Sequence, residues 1–330
     1  MHENYVEILR CPITGSKLNL KVKERVNNKI KEGSLISIEK PELEYLITNF
    51  IPRFVPVDNY ANNFGFQWNK FSRTQLDSQT KQPITHNRFW RATGWKASEM
   101  KNKYILDVGC GSGRFAEVCL QSGAIVVAID YSSAVDAAYN NLLGYDNLLI
   151  IQADVYQLPF AKEIFPFAYS LGVLQHTPDA KKSFDSMVPF VSPCGFICVD
   201  LYWKRLRTML HTKYLFRPIT KRMNKDRLFS IVERYTPKLL KISNLFIKIP
   251  VIGKALSRLI PVANYNGIYN LTPKEQVEWS ILDTFDWFSP AFDNPQSPDT
   301  LKKWFANHDL QSVEIFHEGH LVARGQKKCE

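Results

Sequence analysis

Five short apolar runs punctuate the chain between residues 101 and 202. They lie at residues 104–108, 124–130, 148–152, 167–174 and 196–202. Runs of this length without alternation predict strands that are buried on both faces. Between the first two, apolar residues recur three and four apart (Phe115, Val118 and Cys119), which predicts a helix. Strands that alternate with helices predict an α/β core, a doubly wound and mostly parallel sheet.

The same pattern divides the rest of the chain into four stretches around the core at 101–202. Residues 1–57 contain alternating segments and predict a small β-rich module. Residues 58–100 are polar and rich in aromatic side chains, as in a linker or lid. Residues 203–280 are basic with scattered apolar positions and predict a helical insertion. Residues 281–330 predict a helix, about residues 298–308, and then a β-hairpin.

Composition narrows the class of protein. A chain of 330 residues predicts one principal domain with an appendage or a large insertion. No window approaches 18 uncharged apolar residues, so no membrane-spanning helix is predicted, and residues 1–4 do not resemble a signal peptide. The six cysteines lack metal-ligand spacing, which predicts no metal site and fits a reducing cytoplasm.

The positive charge is concentrated in one segment. The chain has a formal net charge of +10, while residues 204–258 alone carry fifteen Lys and Arg against two acids. An anionic partner is expected there: an anionic membrane surface, an anionic substrate such as a lipid-linked sugar phosphate, or a nucleic acid. The segment could also form a helical cap over the active site. The aromatic residues lie elsewhere, so we rank nucleic acid below the membrane. Solvated helix faces would account for the charge equally well.

A glycine turn follows the first core strand. Gly109, Gly111 and Gly113 are spaced G-x-G-x-G, and Asp107 precedes them. A dinucleotide loop uses G-x-G-x-x-G to cradle a pyrophosphate, whereas a carboxylate beside the turn repels an anion and favours a cation. The expected ligand is therefore an adenosine compound with a positive end, which describes S-adenosylmethionine.

Four motifs resemble those of the class I S-adenosylmethionine-dependent methyltransferases. In order, they are ILDVGCGSGRF (105–115), AIDYSS (128–133), QADVYQLPF (152–160) and SLGVLQHTPD (170–179). Within this family, the motifs most resemble those of methyltransferases of quinone biosynthesis and of polysaccharide or natural-product gene clusters. The resemblance implies a seven-stranded Rossmann-like sheet whose last strand is antiparallel, with S-adenosylhomocysteine as the cofactor product.

The resemblance also implies roles for residues at the strand ends. The three glycines would wrap the amino-acid and ribose part of the cofactor, and Asp107 would face its ammonium group. Asp130, with Tyr131 beside it, would bind the ribose hydroxyls. The residues implied to bind the adenine or line the far side of the cofactor are Asp154, Val155, Leu174 and Gln175. Each acid also has a plainer interpretation, because an Asp at a strand end often caps a helix.

Catalytic candidates follow the fourth and fifth strands. His176 could act as a general base, and Tyr202 is a second candidate. Both could instead be structural. Asp283 lies in a stretch of acids and aromatics at residues 283–293, which we interpret as too broken for a regular helix. This stretch would either form a substrate wall, with Asp283 or Asp286 as base, or be a packed loop whose acids cap the helix after Ser297.

Two further segments have a resemblance-based interpretation. Residues 64–71 (FGFQWNKF) correspond to a lid over the cofactor in related methyltransferases, although they could simply fill a junction. Residues 8–18 resemble the start of a zinc ribbon. Thr14 stands where the second cysteine would be, and Cys11 alone cannot hold zinc, which predicts a degenerate, metal-free ribbon.

The sequence thus predicts methyl transfer from S-adenosylmethionine to a small-molecule, glycan or lipid-linked acceptor. An RNA methyltransferase that uses the basic insertion and a non-catalytic scaffold with the cofactor fold are the alternatives. The protein is expected in the cytoplasm, with peripheral membrane association through residues 204–258 as one option. Whether oxygen, nitrogen or carbon is methylated stays open.

Overall fold

The computed structural model describes residues 1–56, 59–205 and 212–329. After a 3-10 helix at Glu3–Ile8, the chain forms an antiparallel sheet in the order β1-β2-β3-β4. Its strands are β1 (Leu18–Val26), β2 (Lys29–Ser37), β3 (Glu44–Thr48) and β4 (Ile51–Pro52). The predicted β-rich N-terminus is therefore present.

The second sheet has seven strands in the order β10-β11-β9-β8-β5-β6-β7. They are β5 (Tyr104–Val108), β6 (Ile125–Asp130), β7 (Leu148–Gln152), β8 (Phe165–Leu171), β9 (Val191–Leu201), β10 (Gln311–Glu318) and β11 (His320–Gln326). Strand β11 pairs antiparallel with both β9 and β10, and the other pairings are parallel. The predicted fold class is confirmed, including the antiparallel last strand.

Helices precede, flank and extend this sheet. They are α1 (Asn62–Lys70), α2 (Asp77–Thr80), α3 (Ile84–Thr93), α4 (Ala97–Met100), α5 (Arg114–Gln121), α6 (Ala134–Asn141), α7 (Ala180–Met187), α8 (Lys213–Thr220), α9 (Lys225–Ile247), α10 (Gly253–Ser257), α11 (Pro273–Phe288) and α12 (Pro298–Ala306). Helix α12 buries Leu301, Trp304 and Phe305, as its pattern predicts. None of the helices in the described ranges is long and apolar enough to cross a membrane.

The N-terminal sheet is packed into the core of the larger one. Leu9, Leu35 and Ile47 belong to the same buried cluster as residues of β5, β6 and β7. The chain after β4 also pairs with edge strand β7, because the Phe54 N–H donates to the Gln152 carbonyl over 2.8 Å. The first module therefore covers one edge of the larger sheet.

One sequence prediction about the helices is wrong. The stretch from Asp283 is helical as far as Phe288, as the end of α11, which begins with a capping box of Thr272 and Glu275. The acids do not cap the next helix either. Ser297 caps α12 itself, and Asp293 pairs with Lys213 at 2.8 Å. Helix α11 makes apolar contacts on one side and faces the cavity on the other. Its sequence therefore lacks the contrast between one apolar face and one solvent-exposed face by which a helix is usually recognised.

Two of the six cysteines are joined. Cys194 and Cys329 form a disulfide, because β9 and β11 are neighbours and bring the two Cα atoms to 4.5 Å. The other four, Cys11, Cys110, Cys119 and Cys198, are free and buried. The sequence-based expectation of a reducing cytoplasm assumed that the cysteines are unpaired. The Cys194–Cys329 disulfide weakens the support for that expectation.

A thiol count checks the disulfide. We expect titration of the denatured, unreduced protein with a thiol reagent to detect four thiols, and six after reduction. Cys194→Ser is the matched variant, because it should free Cys329 and raise the unreduced count by one. Six thiols before reduction would show that the two cysteines are unpaired.

Candidate functional site

A cavity of about 690 Å³ lies at the carboxyl ends of β5, β6 and β8. One wall is formed by the glycine turn after β5 and by residues that follow the neighbouring strands. The opposite wall comes from α1, α11 and residues 265–270. This is where ligands bind in open α/β sheets.

The glycine turn brings its backbone to the cavity. Gly109, Gly111 and Gly113 all have positive φ, of 82°, 54° and 88°. A Cβ at Gly109 would lie 2.3 Å from a methyl of Val173, so this position excludes a side chain. Gly109 and Gly111 line the cavity, whereas Gly113 packs against Leu142.

Asp107 is a buried carboxylate behind this turn. Its side chain is buried, and its Oδ2 has no hydrogen-bond partner among the described residues. Burial raises the pKa of Asp107 to about 7, and a hydrogen bond with Tyr169 opposes this only in part. Asp107 is not among the residues that line the cavity, so direct contact of its carboxylate with a ligand stays a prediction. Its unpaired oxygen favours a cationic or hydrogen-bond-donating group close to it.

Asp130 holds the turn in place. Its Oδ2 accepts from the Gly111 N–H at 3.0 Å, and its Oδ1 accepts from the N–H and the hydroxyl of Ser132. Burial raises its pKa above the usual range. Asp130 and Tyr131 both line the cavity, and a role for them in binding the ribose stays a prediction.

Of the other residues predicted to bind the cofactor, some line the cavity and some do not. Val155 lines it, while Asp154 uses its carboxylate to cap the turn after β7, accepting from the Tyr156 N–H at 2.9 Å. Leu174 is fully buried in the core rather than at the cavity wall. Gln175 is also buried, and both polar atoms of its side chain lack a partner in the described chain. Roles for Asp154 and Leu174 stay predictions.

These residues fit the cofactor that the sequence predicts. The turn presents backbone where a side chain would collide, and Asp107 has an unused acceptor atom near it. Asp130 lies at the end of the adjacent strand. No cluster of three or more metal-binding side chains occurs in the described ranges.

His176 lies in the wall of the cavity, beyond β8. Its Nδ1 is 3.1 Å from the carbonyl oxygen of Phe292, which can only accept, so Nδ1 carries the proton and Nε2 keeps its lone pair. Phe64 and Tyr202 hold the ring, with centroids at 5.2 Å and 5.4 Å. This tautomer and orientation suit a proton acceptor.

The carboxylates of α11 also line the cavity. Tyr202 donates its hydroxyl to Asp286 at 3.2 Å, and Asp283 accepts from Gln75 and Tyr265. Burial, with the charge of Asp286, raises the pKa of Asp283 to about 7. Burial and nearby carboxylates also raise the pKa of Tyr202, so its hydroxyl keeps its proton.

The sequence did not point to a second polar cluster in the cavity. Arg88 of α3 contacts Asp200 at 2.8 Å and the Nδ1 of His320 at 3.0 Å. Arg114, the first residue of α5, lines the same space and donates to Gln75. Arg114 stands inside the glycine motif and could have been noticed there, whereas Arg88 and His320 are separated by 232 residues.

Helix α1 covers the glycine turn, where a lid was predicted. A Cβ at Gly111 would lie 3.1 Å from the ring of Trp68, and Phe64 and Gln67 line the cavity. The next aromatic, Phe66, instead faces Phe229 of α9, with ring centroids 5.5 Å apart. Helix α1 therefore contacts both the glycine turn and the insertion.

Comparisons with known proteins agree with this geometry. The family described as "Methyltransferase domain" matches residues 106–199. Ubiquinone biosynthesis O-methyltransferase of Coxiella burnetii is 27% identical over 128 residues, which cover 37% of this chain and 55% of that protein. O-methyltransferase resE of Aspergillus sclerotiorum is 26% identical over 150 residues, 42% of this chain and 57% of the relative. The chain thus spans about half the length of these relatives.

Solved structures with a similar fold include a putative S-adenosyl-L-methionine-dependent methyltransferase of Methanococcus maripaludis. It is 13% identical, with a TM-score of 0.46, and the alignment covers 84% of this chain and 97% of that one. The family match lies on the strands and the glycine turn that build one wall of the cavity. Residues 106–199 therefore match a methyltransferase domain, and over this segment the chain is similar to known methyltransferases.

Proposed function

We propose that this protein transfers a methyl group from S-adenosylmethionine to a small-molecule acceptor bound in the cavity. One observation carries the proposal: a single cavity extends from the glycine turn past His176 to the carboxylates of α11. Its volume of about 690 Å³ falls within the range of small-molecule sites, roughly 300–1,000 Å³. The space therefore suits a cofactor and a compact acceptor together.

The chemistry needs little beyond positioning. S-adenosylmethionine supplies a methyl group on a positively charged sulfur, which is already a good leaving group. Asp107, Asp130 and the glycine turn would hold the cofactor, and the wall formed by α11 would hold the acceptor opposite it. Orientation of two reactants can contribute about 7–11 kcal/mol to a barrier.

A hydroxyl acceptor must also lose a proton. His176 is our candidate for this step, because its Nε2 carries a lone pair and its ring is fixed by Phe292 and two aromatic rings. Asp283 is the second candidate, since its raised pKa suits proton transfer near neutral pH. Tyr202 keeps its own proton and fits a role in binding the acceptor through Asp286.

The acceptor is proposed only as a class. Two relatives are named for ubiquinone biosynthesis and for malonyl-[acyl-carrier protein] O-methylation, the latter 32% identical over 96 residues, 29% of this chain and 38% of that Buchnera aphidicola protein. These names, with the carboxylates in the cavity wall, support an acceptor that is methylated on oxygen. Glycan or lipid-linked acceptors, RNA and a non-catalytic role stay as alternatives for the test, and a cytoplasmic location stays a prediction.

Calorimetry followed by turnover tests the proposal. We expect S-adenosylhomocysteine to bind and NADH not to bind. Methyl transfer should then occur to a compound in a panel of phenols, quinols, carboxylic acids and sugars, and not to tRNA. Binding without turnover on any acceptor would favour the scaffold, and binding of NADH in place of S-adenosylhomocysteine would overturn the assignment.

Replacement of His176 tests its role as base. We expect His176→Ala to lower kcat by about 10²–10⁴, the usual contribution of a general base, while S-adenosylhomocysteine affinity stays unchanged. His317→Ala is the matched control, because His317 is exposed on β10 and does not line the cavity. An unchanged kcat for His176→Ala would shift the base to Asp283.

A further inference from the structure

Helix α8 has its charged side chains inward and its apolar side chains outward. Lys213 and Arg217 are 6% and 7% exposed and contact Asp293. Leu215 and Ile219 are 74% and 69% exposed. A surface helix of a globular protein normally shows the opposite arrangement. The outward face of α8 is therefore suited to a partner that accepts aliphatic side chains.

Helix α9 presents a second apolar stripe. Ile231, Tyr235, Ile242 and Leu245 are all exposed and recur at intervals of four, seven and three residues, which places them on one face. The buried residues Leu228, Phe229, Val232, Thr236, Leu240 and Ser243 form another face of the same helix. The stripe is thus additional to the contact of α9 with the protein core.

Basic residues lie within this stripe and along one side of it. They are Arg227, Arg234, Lys238, Lys241 and Lys248, and all five are exposed. None of them lies within 4.0 Å of a carboxylate in the part of the chain that the structure describes. An apolar stripe with a basic border is typical of helices that lie in the interface of an anionic bilayer.

Exposed apolar residues also follow α9 along the chain. Of the nineteen exposed large hydrophobic residues in the described ranges, thirteen lie between residues 215 and 269. We call these thirteen the cap surface. Two of them, Ile268 and Tyr269, also line the cavity. The cap surface therefore includes two residues of the cavity wall.

We propose that the cap surface binds the surface of an anionic lipid bilayer. The excess of basic residues in this segment would repel a second copy of the same surface, so a symmetric dimer is disfavoured. Its exposed residues are mostly aliphatic, whereas single-stranded nucleic acid is bound by stacking on aromatic rings. Aliphatic side chains with a basic border instead match lipid chains beneath anionic headgroups.

Sedimentation with vesicles tests the charge component. We expect the full chain to bind vesicles of phosphatidylcholine mixed with phosphatidylglycerol at low salt, and to bind phosphatidylcholine alone far less. Arg234→Glu/Lys238→Glu/Lys241→Glu should weaken binding at least about 100-fold, since each basic residue near such a surface contributes several-fold. The control with the same change in charge, on exposed residues of the N-terminal sheet, is Lys21→Glu/Lys23→Glu/Lys40→Glu.

A second pair of variants tests the apolar component. We expect Leu215→Ser/Ile219→Ser/Leu245→Ser to weaken vesicle binding roughly tenfold or more even at low salt. The matched control replaces three exposed apolar residues outside the cap surface: Ile13→Ser/Leu46→Ser/Leu143→Ser. All replaced residues are exposed, and an unchanged melting temperature would establish that the variants fold.

Several results would overturn the proposal. These are no binding to anionic vesicles at low salt, equal losses in test and control variants, or a dimer in solution that the apolar variant dissociates. RNA binding lost in the charge variant without vesicle binding would assign the surface to nucleic acid instead. Vesicle binding needs no cofactor, so its outcome is separate from that of the proposed methyl transfer.

Discussion

Replacing Asp130 with alanine is expected to weaken S-adenosylhomocysteine binding by at least about 1–3 kcal/mol, the cost of leaving buried polar groups unpaired. The Asp130 carboxylate has two tasks. It accepts from the Gly111 N–H and from Ser132, so it fixes the glycine turn, and it lies where the ribose hydroxyls are proposed to bind. Losing both the contacts to the turn and the contacts to the ribose should weaken binding more than losing one set of contacts.

Calorimetry of the variant checks this prediction. Asp136→Ala is the matched control, because Asp136 lies on the next helix, pairs with Arg53 at 2.6 Å and does not line the cavity. It should leave cofactor affinity unchanged. If Asp130→Ala bound S-adenosylhomocysteine as tightly as the wild type, the cofactor would have to lie elsewhere.

Asp107→Asn is expected to stabilise the cofactor-free protein at pH 8 by about 2–4 kcal/mol while weakening cofactor binding. Burial raises the pKa of Asp107 to about 7 in the folded protein, above its value in the unfolded chain. The carboxyl therefore favours folding only while protonated, and that contribution is lost as pH rises from about 4 through 7. Asparagine cannot ionise, so the variant avoids the loss.

Denaturant unfolding at pH 5 and pH 8 measures the effect. The difference in unfolding free energy between wild type and variant should be larger at pH 8. Asp200→Asn is the contrasting variant. Despite its burial, the charges of Arg88 and His320 hold the pKa of Asp200 below its usual range, so its loss should destabilise the protein. Equal stability of Asp107→Asn and wild type at pH 8 would refute the raised pKa.

The same carboxyl links pH to cofactor binding. A cationic ligand favours the ionised form of Asp107, so its affinity in the wild type should rise with pH through about 7. In Asp107→Asn this dependence should be absent. The ionised Asp107 carboxyl thus lowers the stability of the free protein and raises its affinity for the cofactor, as is common where function requires a buried charge.

The central sheet could be predicted because its signals are local. Each strand from β5 to β9 is a short apolar run, and Gly109 and Gly111 mark the turn by their spacing. The residues that meet across the cavity could not be predicted. Arg88, Asp200 and His320 come from three distant segments, and nothing in their local sequence shows that they converge.

Helices α8 and α11 illustrate a second limit of prediction from the sequence. Periodicity identifies a helix when one face is apolar and the other polar, yet α11 packs Leu282 and Phe285 on one side and directs Asp283 and Asp286 into a polar cavity on another. Its sequence consequently looked irregular. In α8 the pattern was present, but a sequence cannot tell which face points inward, and the charged face does.

Strand β7 would be an open edge of the seven-stranded sheet without residues 1–56. The Phe54 N–H donates to the Gln152 carbonyl at the end of β7, and Arg53 also donates to the Gln152 side chain at 2.7 Å. Unpaired strand edges recruit strands from other molecules. A shortened protein that lacks only residues 1–56 should therefore precipitate or assemble through β7, because the N-terminal sheet no longer shields this edge from other molecules.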